Sequence, residues 1–200
     1  MGWIDLVHGR VFRRRVTRLC TLLGSVIPAG ASVLDVGAGD GSLDRQLLEI
    51  RPDVRITGID VVIRPRTLIP VLRFDGQSIP FPDKSFDVVM FVDVLHHASN
   101  PDQLIKEASR VGGGVIIKDH LRDGVLSGPT LRLMDFIGNA RFGVALPYNY
   151  WSRQQWDDML LKARLTPRTW IGSLKLYAPP FTYIFDRRLH FLASLQSGSR

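Results

Sequence analysis

The sequence predicts an α/β fold in which helices cover both faces of a doubly wound, mostly parallel sheet. Two observations carry this prediction. Short apolar runs alternate with amphipathic helical segments from residue 31 onward, and a glycine-rich turn at 37–41 separates the first run from the helix that follows it. Right-handed crossovers place the helices of such a chain on alternate faces of the sheet. The length of 200 residues suits one domain.

The N-terminal segment is predicted to be an amphipathic basic helix over residues 5–27. Its apolar positions recur at steps of three and four residues, which places them on one side of a helix, while arginines fall on the other side. The apolar positions are Phe12, Val16, Leu19, Leu23 and Val26, and the arginines are Arg10, Arg14 and Arg18. Two interpretations stay open: a helix packed on the sheet with a solvated arginine face, or docking of that face to an anionic membrane or to nucleic acid.

The segments that follow alternate between strand and helix. Strands are predicted at 31–36, 55–59, 71–74, 87–92 and 115–118. A helix is predicted at 42–50, where Leu43 and Leu47 lie on one face. Two more helices are predicted to begin at the N-caps Asn100 and Ser152, because each of these caps has a Gln three residues later. Gly112, Gly113 and Gly114 are expected to end the helix that begins at Asn100.

The C-terminal part behaves differently from the alternating core. Residues 169–177 and 181–195 are strand-like runs joined through Ala178-Pro179-Pro180, and they predict an antiparallel hairpin at the sheet edge. We therefore divide the single domain, 1–200, into four parts. These are the basic helix at 1–30, a core at 31–119, an insert at 121–151, and the last helix with the edge strands at 152–195.

The amino-acid composition limits which partners the chain can bind and which cysteine chemistry it can carry out. The formal net charge is +7 and the pI is about 10.1, which favours anionic partners such as nucleic acid, phosphorylated substrates or an acidic membrane surface. Cys20 is the only cysteine, so an internal disulfide, a thiolate metal cluster and a two-cysteine mechanism are excluded. No apolar run reaches the length of a spanning helix, and we expect a cytoplasmic protein, with peripheral membrane contact as an alternative.

Two features of the core predict a nucleoside ligand. The turn Gly37-Ala38-Gly39-Asp40-Gly41 lies between a strand and a helix, where missing side chains let a ligand approach the backbone and the helix N-terminus. Asp60 ends the next strand about twenty residues later, where a carboxylate can accept bonds from both hydroxyls of a ribose. These residues alone leave NAD, S-adenosylmethionine and an empty turn open, although the compressed glycine spacing disfavours NAD.

Further motifs carry a family resemblance. Val33-Leu34-Asp35 precedes the glycine turn, Gly58-Ile59-Asp60 follows it, and Asp75-Gly76 leads through Pro80-Phe81 to Phe86-Asp87. A fourth motif is Phe91-Val92-Asp93-Val94-Leu95-His96-His97. In this order, over residues 31–119, the chain resembles the class I methyltransferases of the ubiquinone and menaquinone methyltransferase-like family.

The resemblance implies a seven-stranded Rossmann-like sheet and S-adenosylmethionine as cofactor. It implies that the glycine turn faces the methionine part and the ribose, that Asp60 holds the ribose hydroxyls and that Asp75 reads the adenine. Asp35 would organise the turn near the cofactor amine, and Asp93 would lie where the sulfonium meets the acceptor. The implied cofactor-binding set is Asp35, Gly37, Ala38, Gly39, Gly41, Asp60, Val61, Asp75, Gly76 and Asp93.

The candidate catalytic residues lie after the fourth and fifth strands. His96, His97 and His120 offer imidazoles that titrate near neutral pH and could act as a general base beside Asp93, or could only shape the pocket. The insert at 121–151 is apolar, which favours a hydrophobic acceptor under a lid, or it simply completes a core. No metal is expected, because the histidines lack zinc spacing.

Three functions are compatible with these residues. The first is methyl transfer to a small, apolar, lipid- or quinone-like acceptor. The second is methyl transfer to RNA or protein, which the basic helix favours, although Asp93-Val94-Leu95-His96 stands where a base amino-methyltransferase has Asn/Asp-Pro-Pro-Tyr. The third is a non-catalytic module that binds S-adenosylmethionine. A nicotinamide oxidoreductase is a more distant fourth reading.

Overall fold

The structure is a computed structural model that describes residues 3–139 and 149–197, with side chains over 13–134 and 149–196. Seven strands form one sheet in the order β3-β2-β1-β4-β5-β7-β6. They are β1 Ser32–Val36, β2 Arg55–Asp60, β3 Val71–Arg73, β4 Phe86–Val92, β5 Gly112–His120, β6 Leu165–Ile171 and β7 His190–Ser197. The first five are parallel, and β7 is antiparallel to both β5 and β6. The predicted fold class is therefore confirmed.

Six α-helices lie among the described residues, and two of them begin at a side-chain cap that the sequence predicts. They are α1 Trp3–Val26, α2 Ser42–Ile50, α3 Pro101–Val111, α4 Ser127–Asn139, α5 Arg153–Lys162 and α6 Thr182–Phe185, with a single 3-10 turn at Leu95–His97. The Asn100 side chain accepts from the Gln103 amide, which confirms the predicted start of α3. Ser152 and Gln155 form a reciprocal capping box at α5, as predicted.

The core has two layers, one on each face of the sheet. One layer joins β-strand residues to α3 and α5 and includes the fully buried Phe91, Ile105 and Trp156. The other packs α1 and α2 on the opposite face, and there Leu19 and Leu23 of α1 are almost entirely buried. The apolar side predicted for α1 is thus the side that packs on the sheet.

Gly112 is the C-cap of α3, which confirms the predicted end of this helix, and all three glycines also belong to β5. A β-carbon added at Gly112 would lie 2.8 Å from Val89 Cγ2, and one added at Gly114 would lie 3.2 Å from the Leu195 carbonyl oxygen. The neighbouring strands approach β5 closely here, so glycine is required by packing inside the strand. The strand accordingly begins three residues earlier than the apolar run suggests.

The edge hairpin is present, but its predicted bounds are wrong. Its strands are β6 and β7, and residues 172–189 between them contain α6 instead of continuing as strand. Asp186 explains the difference, because its two carboxylate oxygens accept from the amides of Leu176, at 3.0 Å, and Tyr177, at 2.9 Å. These bonds close residues 176–186 into a compact loop, which removes the segment from the sheet.

Candidate functional site

The carboxyl ends of β1 and β2 hold the glycine turn in a left-handed conformation. Gly37, Gly39 and Gly41 have φ values of 84°, 61° and 74°. The amide of Gly37 donates to the Ile59 carbonyl oxygen at 2.7 Å, which ties the turn to the end of β2. Such φ values strain any residue with a side chain, which explains why glycine occupies all three positions.

The three glycines differ in what surrounds them. An added β-carbon would lie 2.5 Å from Val94 Cγ2 at Gly37 and 2.5 Å from Ile69 Cγ1 at Gly41. At Gly39 it would meet no described atom within 4 Å. Packing therefore requires glycine at the first and third positions, whereas the backbone of Gly39 borders open space that a ligand can enter.

Asp60 holds the turn from the end of β2. Its Oδ2 accepts from the Gly39 amide at 2.8 Å, and its Oδ1 accepts from the Val62 amide at 2.9 Å. Each carboxylate oxygen keeps further lone-pair capacity, so the same group can still accept ribose hydroxyls. Val61, next to it, is 46% exposed and offers an apolar surface at the edge of the site.

Asp75 and Gly76 lie just beyond β3 in an exposed turn. Asp75 Oδ1 accepts from the amides of Gln77 and Ser78, both at 2.7 Å, and these bonds lower the pKa of Asp75. Gly76 has φ 80°. The geometry leaves Asp75 Oδ2 and the Gly76 backbone for the predicted contact with an adenine edge.

Asp35, near the carboxyl end of β1, is buried beside Asp44 of α2. Burial, followed by the nearness of Asp44, raises the pKa of Asp35 well above its usual value, and burial raises the pKa of Asp44 to about 6. Asp35 Oδ1 and both Asp44 oxygens have no hydrogen-bond partner among the described residues. A buried carboxylate oxygen that lacks a donor fits a ligand ammonium group, so the residues present suit the predicted cofactor.

Asp93 directly follows β4, has φ 57° and lies in a cluster of charged side chains. Arg15 of α1 pairs with its Oδ2 and Lys118 of β5 pairs with its Oδ1. Burial alone would raise the pKa of Asp93, but Lys118 and Arg15 outweigh it and hold the pKa well below its usual range. We expected Asp93 beside a sulfonium; in this structure its charge is already compensated by two cations.

Arg15 and Lys118 are site residues that sequence reasoning missed. Lys118 is fully buried, and its ammonium also lies 3.5 Å from His190 Nδ1. The available signal was a lysine directly after the apolar run Val115-Ile116-Ile117, because a charge at a buried position of a strand requires a partner. The arginine face of α1 is also less solvated than predicted, since Arg18 donates to the Leu174 carbonyl oxygen at 3.0 Å.

All three candidate histidines meet at the carboxyl ends of β4 and β5. The ring centroids of His96 and His97 are 4.0 Å apart, and those of His96 and His120 are 4.7 Å apart. His190, at the start of β7, adds a fourth imidazole, with its Nδ1 3.1 Å from His120 Nδ1. Four of the five histidines of the chain therefore share one place, which their scattered positions in the sequence do not show.

A metal ion is one explanation for such a cluster. Ligand atoms of His96, Asp119 and His120 lie within 4.8 Å of one another, and all three residues are buried. Hydrogen bonds account for this closeness, because His96 pairs with Asp119 and His120 pairs with His190. The absence of a metal stays a prediction.

The predicted lid is described only in part. Leu131 of α4 is buried, and the hydroxyl of the buried Tyr150 donates to its carbonyl oxygen at 3.1 Å. Leu133 is 51% exposed and Met134 is half-buried. Tyr148, Phe142, Val144 and Leu146 lie outside the described residues, as do the side chains of Phe136 and Ile137.

The sheet order and the glycine turn held by an acid at the end of β2 are those predicted for the Rossmann-like fold of a class I methyltransferase. Residues 34–117 match the family model described as a methyltransferase domain. This match agrees with the family resemblance predicted from the motifs.

Curated relatives cover part of the chain. A demethylmenaquinone methyltransferase of Tropheryma whipplei (strain Twist) is 37% identical in an alignment over 112 residues, and the alignment covers 49% of this chain and 44% of that protein. A sarcosine/dimethylglycine N-methyltransferase of Aphanothece halophytica is 32% identical in an alignment over 150 residues, and the alignment covers 64% of this chain and 54% of that protein. The chain spans about half the length of the curated relatives it matches.

Solved structures share the fold at low identity. A S-adenosylmethionine-dependent methyltransferase of Mesorhizobium loti superposes with a TM-score of 0.66 at 16% identity, covering 88% of this chain and 96% of that one. The [4+2]-cyclase SpnF superposes with a TM-score of 0.65 at 18% identity, covering 92% and 81%. Because the second of these proteins is a cyclase by name, this likeness shows the fold and not the reaction.

Proposed function

We propose that this chain transfers a methyl group from S-adenosylmethionine to a small, apolar, quinone- or lipid-like acceptor. The observation that carries the proposal is the open space at the backbone of Gly39, next to a carboxylate, Asp60, that already fixes the turn. When bound, S-adenosylmethionine supplies an electrophilic methyl group on a sulfonium with a good leaving group. The residues of the chain then have to bind, orient and exclude water.

Each carboxylate in the turn has a distinct task in this proposal. Asp60 accepts the ribose hydroxyls, Asp75 with Gly76 reads the adenine, and Asp35 faces the ammonium group. Gly37, Ala38, Gly39 and Gly41 let the ligand approach the backbone, with Val61 beside the ribose. The burial of Asp35 supports its part, because its Oδ1 has no hydrogen-bond partner among the described residues and a ligand ammonium group could donate to it.

The acceptor class is supported by the relatives and by the lid. One of the two curated relatives named above is a demethylmenaquinone methyltransferase. Leu131 and Tyr150 bring apolar surface toward the histidine cluster, since the Tyr150 ring lies 5.5 Å from that of His96. His96, His97, His120 and Asp93 are proposed to face the acceptor, and a base is needed only if the acceptor must lose a proton.

Peripheral membrane contact is part of the same proposal, since a quinone-like acceptor resides in lipid. Arg13 and Arg14 of α1 are exposed and carry the positive charge that an anionic surface attracts. None of the described helices is long and apolar enough to cross a bilayer. Sedimentation with vesicles that contain phosphatidylglycerol, compared with vesicles of phosphatidylcholine alone, tests the contact.

Calorimetry with S-adenosylhomocysteine tests the cofactor site. Wild-type protein is expected to give a saturable signal, and Asp60→Asn is expected to weaken binding by at least about 10-fold, the equivalent of one lost charge-assisted hydrogen bond. Asp53→Asn is the matched control, because Asp53 also accepts from a backbone amide, that of Gly30 at 2.9 Å, but lies at the amino end of the sheet. Absence of wild-type binding at millimolar ligand contradicts the proposal.

The net charge of +7 favours a second candidate, transfer to RNA or protein. Labelled methyl groups from S-adenosylmethionine can be followed into a lipid extract, into RNA and into protein in one reaction series. Label in the lipid extract alone supports the small apolar acceptor. Label in RNA or protein alone supports the second candidate and overturns the first.

A further inference from the structure

A turn at residues 123–126 holds two apolar side chains in solvent just before α4. Val125 is 86% exposed and Leu126 is 64% exposed. Leu126 has φ 61°, and the buried Ser127 fixes the turn by donating its hydroxyl to the Gly124 carbonyl oxygen at 2.9 Å. A leucine in the left-handed region costs backbone strain, and neither exposed side chain offsets that cost by packing in the core. The turn therefore points to a contact outside the chain.

The short helix α6 extends this apolar surface. Its Tyr183 is 72% exposed, and Ile184 beside it is half exposed. Arg187 joins α6 to α4, because its Nε donates to the Ile184 carbonyl oxygen and its Nη2 donates to the Thr130 hydroxyl, both at 3.0 Å. Thr130 in turn donates to the Leu126 carbonyl oxygen at 2.8 Å. A continuous series of hydrogen bonds thus links the turn to α6.

Leu133 belongs to the same surface, because it lies two helical turns after Leu126 and is also exposed. Five exposed apolar side chains therefore surround the junction of the two helices. We call them the α4–α6 surface: Val125, Leu126, Leu133, Tyr183 and Ile184. A group of exposed apolar side chains of this kind marks a site of interaction with a protein or a membrane.

The rim of the α4–α6 surface is positively charged. Arg122, Arg187 and Arg188 are exposed, and among the described residues none of the three forms an ion pair. The two acids next to them in the sequence, Asp123 and Asp186, accept hydrogen bonds from backbone amides. Apolar side chains within a ring of uncompensated arginines complement the anionic headgroups and the acyl chains of a bilayer.

A cavity of about 520 Å³ opens beside the turn, and Asp123 and Arg188 line it. On its wall, Arg153 Cζ lies 3.6 Å from the centre of the Trp170 ring. Tryptophan and tyrosine favour the headgroup level of a bilayer, and arginine keeps its charge there while its stem contacts apolar groups. With Tyr183 of α6, the surroundings of the exposed apolar side chains have the composition of a membrane interface.

The α4–α6 surface lies at the same end of the sheet as the candidate site. His190 Nε2 lies 3.1 Å from the carbonyl oxygen of Phe185, the last residue of α6. His190 Nδ1 lies 3.1 Å from His120 Nδ1 and 3.5 Å from the Lys118 ammonium group. Contact of α6 with a bilayer would therefore bring the carboxyl ends of β4 and β5 close to the lipid.

We propose that the α4–α6 surface inserts into an anionic lipid bilayer. This inference rests on the proposed transfer to an apolar acceptor, and it assigns the membrane surface from which that acceptor is taken. The exposed arginines of α1 attract the same bilayer, but Leu19 and Leu23 of that helix are buried against the sheet. The turn at 123–126 and α6, in contrast, present apolar side chains that can enter the lipid.

A label at the turn measures insertion directly. Cys20 is buried, so Val125→Cys provides a single reactive thiol for a nitrobenzoxadiazole fluorophore. Its emission is expected to shift to shorter wavelength on addition of vesicles of equal parts phosphatidylglycerol and phosphatidylcholine. Leu161→Cys is the matched control, because Leu161 is 77% exposed but lies on α5, and its label should not respond. Unchanged emission at position 125 overturns the inference.

Leu126→Asn separates docking from folding. Asparagine adopts the left-handed conformation more readily than leucine, so the variant should be at least as stable as wild type in urea. Its affinity for the same vesicles, measured by sedimentation, should fall at least about 10-fold, because a leucine side chain no longer leaves water. Leu161→Asn should bind like wild type. Equal vesicle binding by Leu126→Asn and wild type would show that this surface does not dock.

The charged rim can be tested in the same assay. Arg122→Gln is expected to weaken binding to these vesicles about 5-fold, the effect of one arginine near an anionic surface. Arg55→Gln is the control, since Arg55 is an exposed arginine at the amino end of the sheet. Equal affinity of wild type for these vesicles and for vesicles of phosphatidylcholine alone contradicts an anionic bilayer as the partner.

A second copy of the chain is the competing occupant of the α4–α6 surface. Light scattering that shows a wild-type dimer, a monomer for Leu126→Asn and no vesicle binding by either would assign the surface to self-association and overturn the inference. Wild type that binds S-adenosylhomocysteine but not vesicles leaves the proposed function standing. Wild type that does not bind S-adenosylhomocysteine overturns the proposed function, and the label at position 125 then still reports on the membrane contact alone.

Discussion

Arg15, on the N-terminal helix, forms an ion pair with Asp93, which ends the fourth strand 78 residues later. The pair fastens α1 across the carboxyl end of the sheet, where the candidate site lies. Lys118 approaches the same carboxylate from β5, so two cations share one anion. The helix that sequence analysis related to membranes or nucleic acid is therefore also part of the wall of the site.

Arg15→Ala is expected to destabilise the fold by about 2 kcal/mol, because a largely buried pair is broken while Lys118 still compensates Asp93. Urea unfolding at neutral pH measures the loss. Arg14→Ala removes an exposed arginine from the adjacent position and should change the stability by less than about 0.5 kcal/mol. Equal effects of the two substitutions would show that the ion pair does not anchor α1.

Asp44→Asn is expected to flatten the dependence of stability on pH. The pKa of Asp44 is raised to about 6 in the fold by burial, and burial also raises the pKa of Asp35 well above its usual value. Carboxyls with raised pKa values stabilise the fold below their unfolded pKa and lose that contribution as the pH rises through the folded value. The variant should therefore be more stable than wild type at pH 8, by about 1–2 kcal/mol, and no more stable at pH 4.

Denaturant unfolding at these two pH values measures the difference. Asp102→Asn is a suitable control, because Asp102 is an exposed aspartate in the first turn of another helix, α3. A wild-type stability that stays constant between pH 4 and pH 8, relative to Asp44→Asn, would contradict the raised pKa of Asp44.

Cys20 is expected to react slowly with dithiobis(nitrobenzoate). Burial raises the pKa of its thiol to about 11, so the reactive thiolate is scarce at pH 8, and the side chain is only 1% exposed. Reaction in the native state should be at least about 100-fold slower than in 6 M guanidinium chloride, because unfolding both exposes the thiol and removes the burial that raises its pKa. Equal rates would show that α1 opens readily.

Local signals in the sequence predicted the elements that depend on local chemistry. Asn100 and Ser152 were identified as caps because their partners lie three residues away, and apolar runs located the parallel strands. The glycines at 112–114 end α3 as predicted, but their place inside β5 was not predicted, because it depends on the close approach of Val89 and Leu195 from other strands. The predicted bounds of the edge strands are wrong for a similar reason. The Asp186 carboxylate accepts from the Leu176 amide ten residues earlier, and this contact, which closes the loop, has no signal in the local sequence.

The candidate site also has a part that the sequence predicts and a part that it does not. The glycine turn and Asp60 are adjacent in the structure because the neighbouring strands β1 and β2 end there. Their spacing in the sequence is enough to predict this contact. The pairs Arg15 with Asp93 and Asp119 with His96 join distant elements of the fold. No periodicity or motif relates such residues, so only the assembled sheet reveals which charge compensates which.

Gly39→Ala separates a glycine kept for a ligand from one kept for folding. With φ 61° and no described atom within 4 Å of an added β-carbon, the substitution should cost only backbone strain, about 1–2 kcal/mol. Gly30→Ala has φ 67° and equally open surroundings at the amino end of the sheet, so it should cost the same. Calorimetry should show S-adenosylhomocysteine binding weakened at least about 10-fold in Gly39→Ala, through contact with the new methyl group, and unchanged in Gly30→Ala. If both variants bind like wild type, the ligand does not approach Gly39, and the turn is a structural one.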